Sequence, residues 1–319
     1  MMRFAVALLA IGLLACAGRI PPEELPEDPI AFMRQGAASG ISGVDEFIDA
    51  VRIPNPDERS TLRPRRTTTL SLLDLRSGEA TKVPGVGPGV LPMDWSADGY
   101  KLLIGRYERA TGIFHLSLWN RATGSHDPVH PSQSTGSAAL GQGPIRAAHV
   151  GRVAMPGGGS QIGVQVTIDH RGTHPLPGAT PGRSPDVSPD GLTVLFERPG
   201  RGLDRDGTIL LMRLGDAAPR PLGRGSEPRF SRDGKWIGFL RRKSGQTDVW
   251  LMRADGTGKR ALTNTTYDEE YPAVSPTGRY VVFASVRPPN AESQLYLVRV
   301  SDGREIQLTQ AGQNSRPLW

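Results

Sequence analysis

From about residue 65 onward, short runs of β-branched and aromatic residues alternate with clusters of Gly, Pro, Asp and Ser. That texture predicts brief strands joined by tight turns rather than helices. The runs recur as a unit. Pro185-Asp-Val-Ser-Pro-Asp-Gly191 leads to Thr193-Val-Leu-Phe196 and then to Thr208-Ile-Leu-Leu-Met-Arg213. Pro228-Arg-Phe-Ser-Arg-Asp-Gly234 leads to Trp236-Ile-Gly-Phe239, Asp248-Val-Trp-Leu-Met-Arg253 and Ala261-Leu-Thr263. Pro272-Ala-Val-Ser-Pro-Thr-Gly278 leads to Tyr280-Val-Val-Phe283, Gln294-Leu-Tyr-Leu-Val-Arg299 and Gln307-Leu-Thr309. The turn glycines Gly191, Gly234 and Gly278 stand 43 and 44 residues apart. An earlier unit around Trp95-Ser-Ala-Asp-Gly99 lies 92 residues before Gly191, room for one further unit between them. That one is degraded: Ala147–Val153 and Ile162–Ile168 are strand-like, but the Ser-Pro-Asp-Gly turn is missing.

Each unit holds four short strands, with an Asp-Gly-type turn making a hairpin between the first and second. Four strands at a period of about 40–45 residues is the pattern of a β-propeller blade. The chain ends on Ser315-Arg-Pro-Leu-Trp319, which matches only a first strand. It enters the repeat at Thr67–Gly78, which matches a third strand and its turn. The two fragments complete one blade, so the expected fold is all-β: a six-bladed propeller over residues 65–319, closed by strands from both chain ends.

The N-terminus has a different pattern. Arg3 precedes the apolar run Phe4–Ala15, too short to span a bilayer and suited to a secretory signal over residues 1–15. Leu13-Leu-Ala-Cys16-Ala17 resembles the bacterial lipobox, which implies cleavage before Cys16 and lipid attachment to it. Cys16 is the only cysteine of the chain, which the same reading accounts for. Several acyl chains anchor a protein durably, and Ala17 in place of Asp favours the periplasmic face of the outer membrane. Residues 16–64 are expected to form a lipid-anchored linker, acidic and Pro-rich at Pro21–Pro29. Two short helices are expected in it. One is capped by Asp28, starts at Pro29 and stops at Gly36; the other carries the apolar stripe Val44, Phe47, Ile48 and Val51.

Composition adds to this picture without redirecting it. The 39 Gly and 28 Pro fit a turn-rich β protein, and a net charge of +6 is spread along the chain rather than banded on one helix. With export, that excludes nucleic acid as the partner. No catalytic constellation is recognised and no cofactor is expected. His126-x3-His130 and His170-x3-His174 have metal-ligand spacing, but repeat alignment places His126 and His174 in the column of Glu305, on the outermost strand. Gly202–Gly207 lacks the remaining ligands of a calcium loop. Gly157–Ser160 lacks the Lys-Ser/Thr of a phosphate loop, so both read as turns.

The repeat Pro-x-(aromatic or Val)-Ser-Pro-Asp-Gly, followed by an apolar strand, Leu-Met-Arg-Ala-Asp-Gly and Leu-Thr, resembles the propeller repeat of the TolB family. The likeness covers residues 65–319 and is strongest over 185–311. It implies a periplasmic interaction module that binds the peptidoglycan-associated lipoprotein and other Tol components. Two departures from that family are expected: no α/β N-terminal domain, and a segment resembling the lipobox. In a propeller, loops entering the innermost strands gather at one mouth of the central channel, where such scaffolds place function. Here they supply Arg146, Arg183, Glu227, Asp268, Glu269, Glu270, Tyr271, Asn314 and Arg316. The leading reading is a monomeric, non-enzymatic, membrane-tethered scaffold that captures an envelope protein or peptide at this mouth. The alternatives are a carbohydrate-active lyase or other metal-dependent enzyme on a TolB-like propeller, and a purely structural envelope lipoprotein.

Overall fold

A computed structural model describes residues 20–35, 68–200, 207–243, 245–289 and 292–319. The signal segment, Cys16 and the stripe around Phe47 fall outside them. Six four-stranded antiparallel sheets form a ring of blades. Blade I holds β1 (Ile30–Gln35), β2 (Thr68–Leu73) and β3 (Ala80–Lys82). Blade II holds β4 (Val90–Trp95), β5 (Lys101–Glu108), β6 (Ile113–Asn120) and β7 (His126–Ser134). Blade III holds β8 (Ala138–Leu140), β9 (Ile145–Ala154), β10 (Ser160–Ile168) and β11 (Gly172–Pro175). Blade IV holds β12 (Arg183–Val187), β13 (Thr193–Arg198), β14 (Thr208–Arg213) and β15 (Arg220–Arg224). Blade V holds β16 (Ser226–Phe230), β17 (Trp236–Lys243), β18 (Gln246–Arg253) and β19 (Arg260–Ala261). Blade VI holds β20 (Glu269–Val274), β21 (Tyr280–Val286), β22 (Ser293–Arg299) and β23 (Glu305–Gln307), and β24 (Gln313–Leu318) returns to blade I as its innermost strand.

The apolar strands bury both faces because each sheet is sandwiched between its neighbours. In blade VI, Tyr280–Ser285 and Ser293–Val298 are continuously buried. The core is thus a set of seams, with Tyr280, Val282, Leu295 and Leu297 meeting Ile30, Phe32 and Leu73 between blades VI and I. Turn chemistry repeats with the blades. Ser96, Ser188 and Ser231 each donate through Oγ to Asp98, Asp190 and Asp233 at 2.5, 2.5 and 2.6 Å. Each also accepts from the first N–H of the next strand, at Lys101, Thr193 and Trp236. The glycine that follows must take positive φ. At Gly191 (φ +64°) a Cβ would also meet the Gly143 backbone nitrogen at 2.1 Å, so the position admits only glycine.

Two expectations change. The helix expected from Pro29 is not formed over residues 29–35: Ile30–Gln35 is the second strand of blade I, paired with β2 on one side and β24 on the other. The propeller therefore includes residues 20–35, and residues 36–67 connect β1 to β2. Sheet pairing of both edges outweighs the local capping signals of Asp28 and Pro29. In the degraded unit, Ala147–Val153 lies on the second strand, β9, and the short β8 is the innermost. Phe32 is fully buried in the seam between blades I and VI. Phe32→Ala is expected to lower unfolding free energy by about 3–5 kcal/mol, measured by urea denaturation; a linker residue would change it negligibly.

Candidate functional site

The innermost strands β24, β4, β8, β12, β16 and β20 surround a polar channel. We call the end where they begin the mouth, and the end where they turn into the second strands the floor. At the mouth, four blades share an unusual backbone. Ser184, Glu227, Tyr271 and Arg316 have φ of 50°, 49°, 53° and 50°, and each precedes a proline: Pro185, Pro228, Pro272 and Pro317. In blades IV, V and VI this is the place where the ladder slips register, between Arg183/Asp186, Ser226/Arg229 and Glu270/Ala273. A left-handed L-residue costs about 1–2 kcal/mol, so these blades hold strained residues at one rim. The bulge aims the side chain of each out of the ladder.

These side chains form a charged, half-buried cluster. The Arg316 guanidinium lies over the Tyr271 ring, 4.6 Å from its centroid. Glu227 Oε2 accepts from the Tyr271 N–H at 3.2 Å, and Glu197 Oε2 accepts from the Glu227 N–H at 3.4 Å. Arg183 donates to Glu197 Oε1 at 2.6 Å. Burial pushes the Glu227 and Glu270 carboxyls above the usual carboxylate range, and Arg316 opposes this in both. Glu197, fully buried on β13, underlies the rim. It went unnoticed in the sequence, where its only signal is a charge closing the apolar run Val194-Leu-Phe196.

Not every expected residue joins this cluster. Arg146 lies at the floor, on the second strand of blade III, where it grips the half-buried Asp169 by two bonds of 2.6 Å; the degraded turn shifts it by one strand. Glu269 is fully buried and accepts from Thr263, Thr265 and Arg287, which makes it a structural anchor of blade VI. Asn314 is fully buried, its Nδ2 donating to Gln294 Oε1 at 3.0 Å and to the Ala311 and Gly312 carbonyls. Asp268 is exposed and accepts from the Thr247 N–H at 2.8 Å. The mouth cluster is therefore Arg183, Glu227, Glu270, Tyr271 and Arg316.

Toward the floor end of the channel, a cavity of about 60 Å³ is lined by residues of all six blades, among them Asp94, Leu140, Asp186, Arg229, Ala273 and Leu318. Asp94 accepts from the Leu140 N–H at 2.8 Å and Asp186 from the Phe230 N–H at 2.6 Å. Each carboxylate thereby ties its blade to the next. Burial raises both, and the Asp94 charge helps push Asp186 up to about 7, against the pull of Arg229.

His126 and His174 are exposed on the outermost strands of different blades. The His126 ring nitrogen lies 3.1 Å from the Gly85 carbonyl, and that of His174 lies 2.5 Å from the Arg171 carbonyl. His126 shares the column of Glu305, whereas His174 sits one position further along. Among the described residues no group of three or more His, Cys, Asp or Glu side chains could hold a metal ion. Residues 201–206 of the acidic Gly202–Gly207 stretch fall outside the description. The Gly157–Gly159 turn carries three successive positive-φ glycines between β9 and β10.

No protein-family model matches the sequence. A stretch of 86 residues is 38% identical to the Tol-Pal system protein TolB of Anaeromyxobacter dehalogenans, covering 25% of this chain and 19% of that protein. The chain thus matches about a fifth of that relative's length. In structure, it is similar to TolB from Acinetobacter baumannii, with a TM-score of 0.65 and 19% identity over 93% of this chain and 68% of the other. It is likewise similar to a TolB-type structure from Agrobacterium tumefaciens, with a TM-score of 0.57 and 22% identity over 77% of this chain and 91% of the other. The fold is a TolB-like six-bladed β-propeller.

Two measurements probe the site. Left-handed strain predicts that Tyr271→Gly is more stable than Tyr271→Ala by about 1 kcal/mol; equal unfolding midpoints would mean an unstrained rim. For Asp186, a folded pKa raised to about 7 means that the native state holds a proton its unfolded chain releases above the ordinary 3.8. Stability from this group is present at low pH and lost as pH rises through about 7. Asp186→Asn does not titrate. Its stability relative to the parent should climb from pH 5 to pH 8, by on the order of 2 kcal/mol, in urea unfolding at both pH values.

Proposed function

We propose that this chain is a lipoprotein of the bacterial envelope. It is cut before Cys16, anchored by lipid on the periplasmic face of the outer membrane, and acts as a monomeric, non-enzymatic scaffold. Its propeller captures a protein or peptide segment at the channel mouth. The observation that carries this reading is the row of strained residues before proline, whose side chains converge on one rim with Arg183 and Glu270. Backbone strain held at equivalent points of several blades favours a binding surface over a passive ring. The rim combines an aromatic–guanidinium stack with carboxylates that are only partly neutralised. That is suited to a segment presenting cationic or N–H donors beside an apolar side chain.

The likeness to TolB supports an envelope role, and by that resemblance the partner is a component of Tol/Pal type. An enzymatic role gains no support from the two outer-strand histidines, whose ring nitrogens already meet backbone carbonyls.

A photo-crosslinking residue placed at Tyr271 in intact cells should trap a defined partner, whereas one at Thr277 on the floor should not. Reversing charge with Glu270→Lys and Arg316→Glu should cut partner recovery at least tenfold while thermal unfolding stays cooperative. Unchanged recovery, or adducts from the floor alone, would remove the mouth as the binding surface.

A further inference from the structure

Residues 20–28 form a strap across the floor. Ile20 and Leu25 are buried in the seam between blades VI and I, with Tyr280, Leu297 and Trp319. Three ion pairs hold the strap: Glu24 to Arg299 at 3.2 Å, Glu27 to Arg76 at 2.8 Å and Asp28 to Arg232 at 3.2 Å. Trp319 Nε1 donates to the Asp28 carbonyl at 3.1 Å. Each partner belongs to the floor. Arg299 ends β22, Arg76 lies in the β2–β3 turn, and Arg232 lies in the β16–β17 turn. From there Arg232 reaches toward Trp95 of the opposite blade, 5.9 Å from its ring centroid.

Cys16 precedes Ile20 by four residues. An extended chain spans at most about 3.6 Å per residue, so Cys16 lies within about 14 Å of Ile20. The mouth is at the other end of strands that rise about 3.3 Å per residue, about 20 Å or more further. A leash of that length cannot pass around a blade to place the mouth against a membrane. From this we infer that the propeller sits floor-down on the lipid surface, with its mouth directed away from the bilayer that anchors it. The inference rests on the reading of Cys16 as the lipidated residue.

The floor is built for such a surface. Its turns present the exposed Tyr100 and Leu214, at 62% and 38% exposure, and the exposed cations Lys101, Arg121, Arg171 and Arg279. Many floor carboxylates instead fold back onto their own turns: Asp98, Asp190 and Asp233 onto serine hydroxyls, and Asp74 onto the Arg76 and Ser77 N–H groups. Long exposed cations beside carboxylates engaged within their own turns favour an anionic headgroup layer, with Tyr100 suited to its edge.

The test uses the full acylated chain in vesicles of phosphatidylethanolamine and phosphatidylglycerol. Cys16 is the only native cysteine, so Thr277→Cys reports the floor and Ala110→Cys, in the β5–β6 turn, the mouth side. With a fluorophore on each and nitroxide-labelled lipid as quencher, the floor probe should be quenched at least threefold more strongly. A twenty-residue Gly/Ser spacer inserted after Ala17 should reduce that difference. Equal quenching, or stronger quenching at Ala110→Cys, on protein shown by mass spectrometry to be acylated would overturn the seating and leave the anchor standing. A mature chain with unmodified Cys16 would overturn the anchor itself, and the seating with it.

Discussion

Closure of blade I is the constraint on which the rest of the molecule depends. Its innermost strand, β24, comes from the C-terminus, and the strand beside it, β1, comes from the N-terminus; their antiparallel pairing joins residues almost three hundred positions apart in sequence. Without it, blade I would offer an open sheet edge beside the channel, and the seams toward blades II and VI would lose one wall. Leu318 and Trp319 are buried at that joint, and the Asp28 carbonyl accepts from the Trp319 ring. The same joint fixes direction. Because β1 runs from floor to mouth, the chain preceding it must cross the floor, and the strap does so.

Hydrophobic burial in this fold lies between blades and leaves the axis polar, so the axis needs its own source of cohesion. Carboxylates supply part of it by bonding to an N–H of the next blade: Asp94 to Leu140, Asp186 to Phe230 and Glu227 to Tyr271. Such groups are costly to desolvate, and their raised carboxyl pKa values express that cost. They persist because each satisfies a backbone donor that the narrow channel would otherwise leave unpaired. At the mouth the same carboxylate-to-N–H device coincides with the left-handed residues, so cohesion and the presented surface are built from the same atoms.

The two ends of the ring therefore have different characters. The mouth holds half-buried charge of both signs around an aromatic ring, a surface with specificity. The floor holds small turn networks, outward cations and a strap, a surface suited to a broad and less selective contact. The proposed seating, floor toward the membrane and mouth away from it, gives each of these two halves the contact its chemistry suits.

Much of this was legible in the chain alone, and physics explains the boundary. Blade count and the Ser-x-Asp-Gly hairpins are local: a short apolar strand run and a serine–aspartate turn are complete within about ten residues. The closing blade could be counted from its two fragments, because each still carries its unit's pattern. Ile30–Gln35 could not be read as a strand, since Asp28 and Pro29 mimic a helix start and the pairing that overrides them comes from β24 and β2. Arg146 was misassigned where blade III lacks the turn that marks phase. Glu269 and Asn314 sit at the expected ends of strands, but only packing buries them against Arg287 and Gln294. Glu197, Asp94 and Asp186 became visible only once six strands met around one axis. Sequence determined which elements form, β1 excepted, because turn and strand chemistry is short-range. Tertiary structure decided which charges share the channel, how the ring closes and which face the strap occupies, because those depend on contacts between residues distant in the chain.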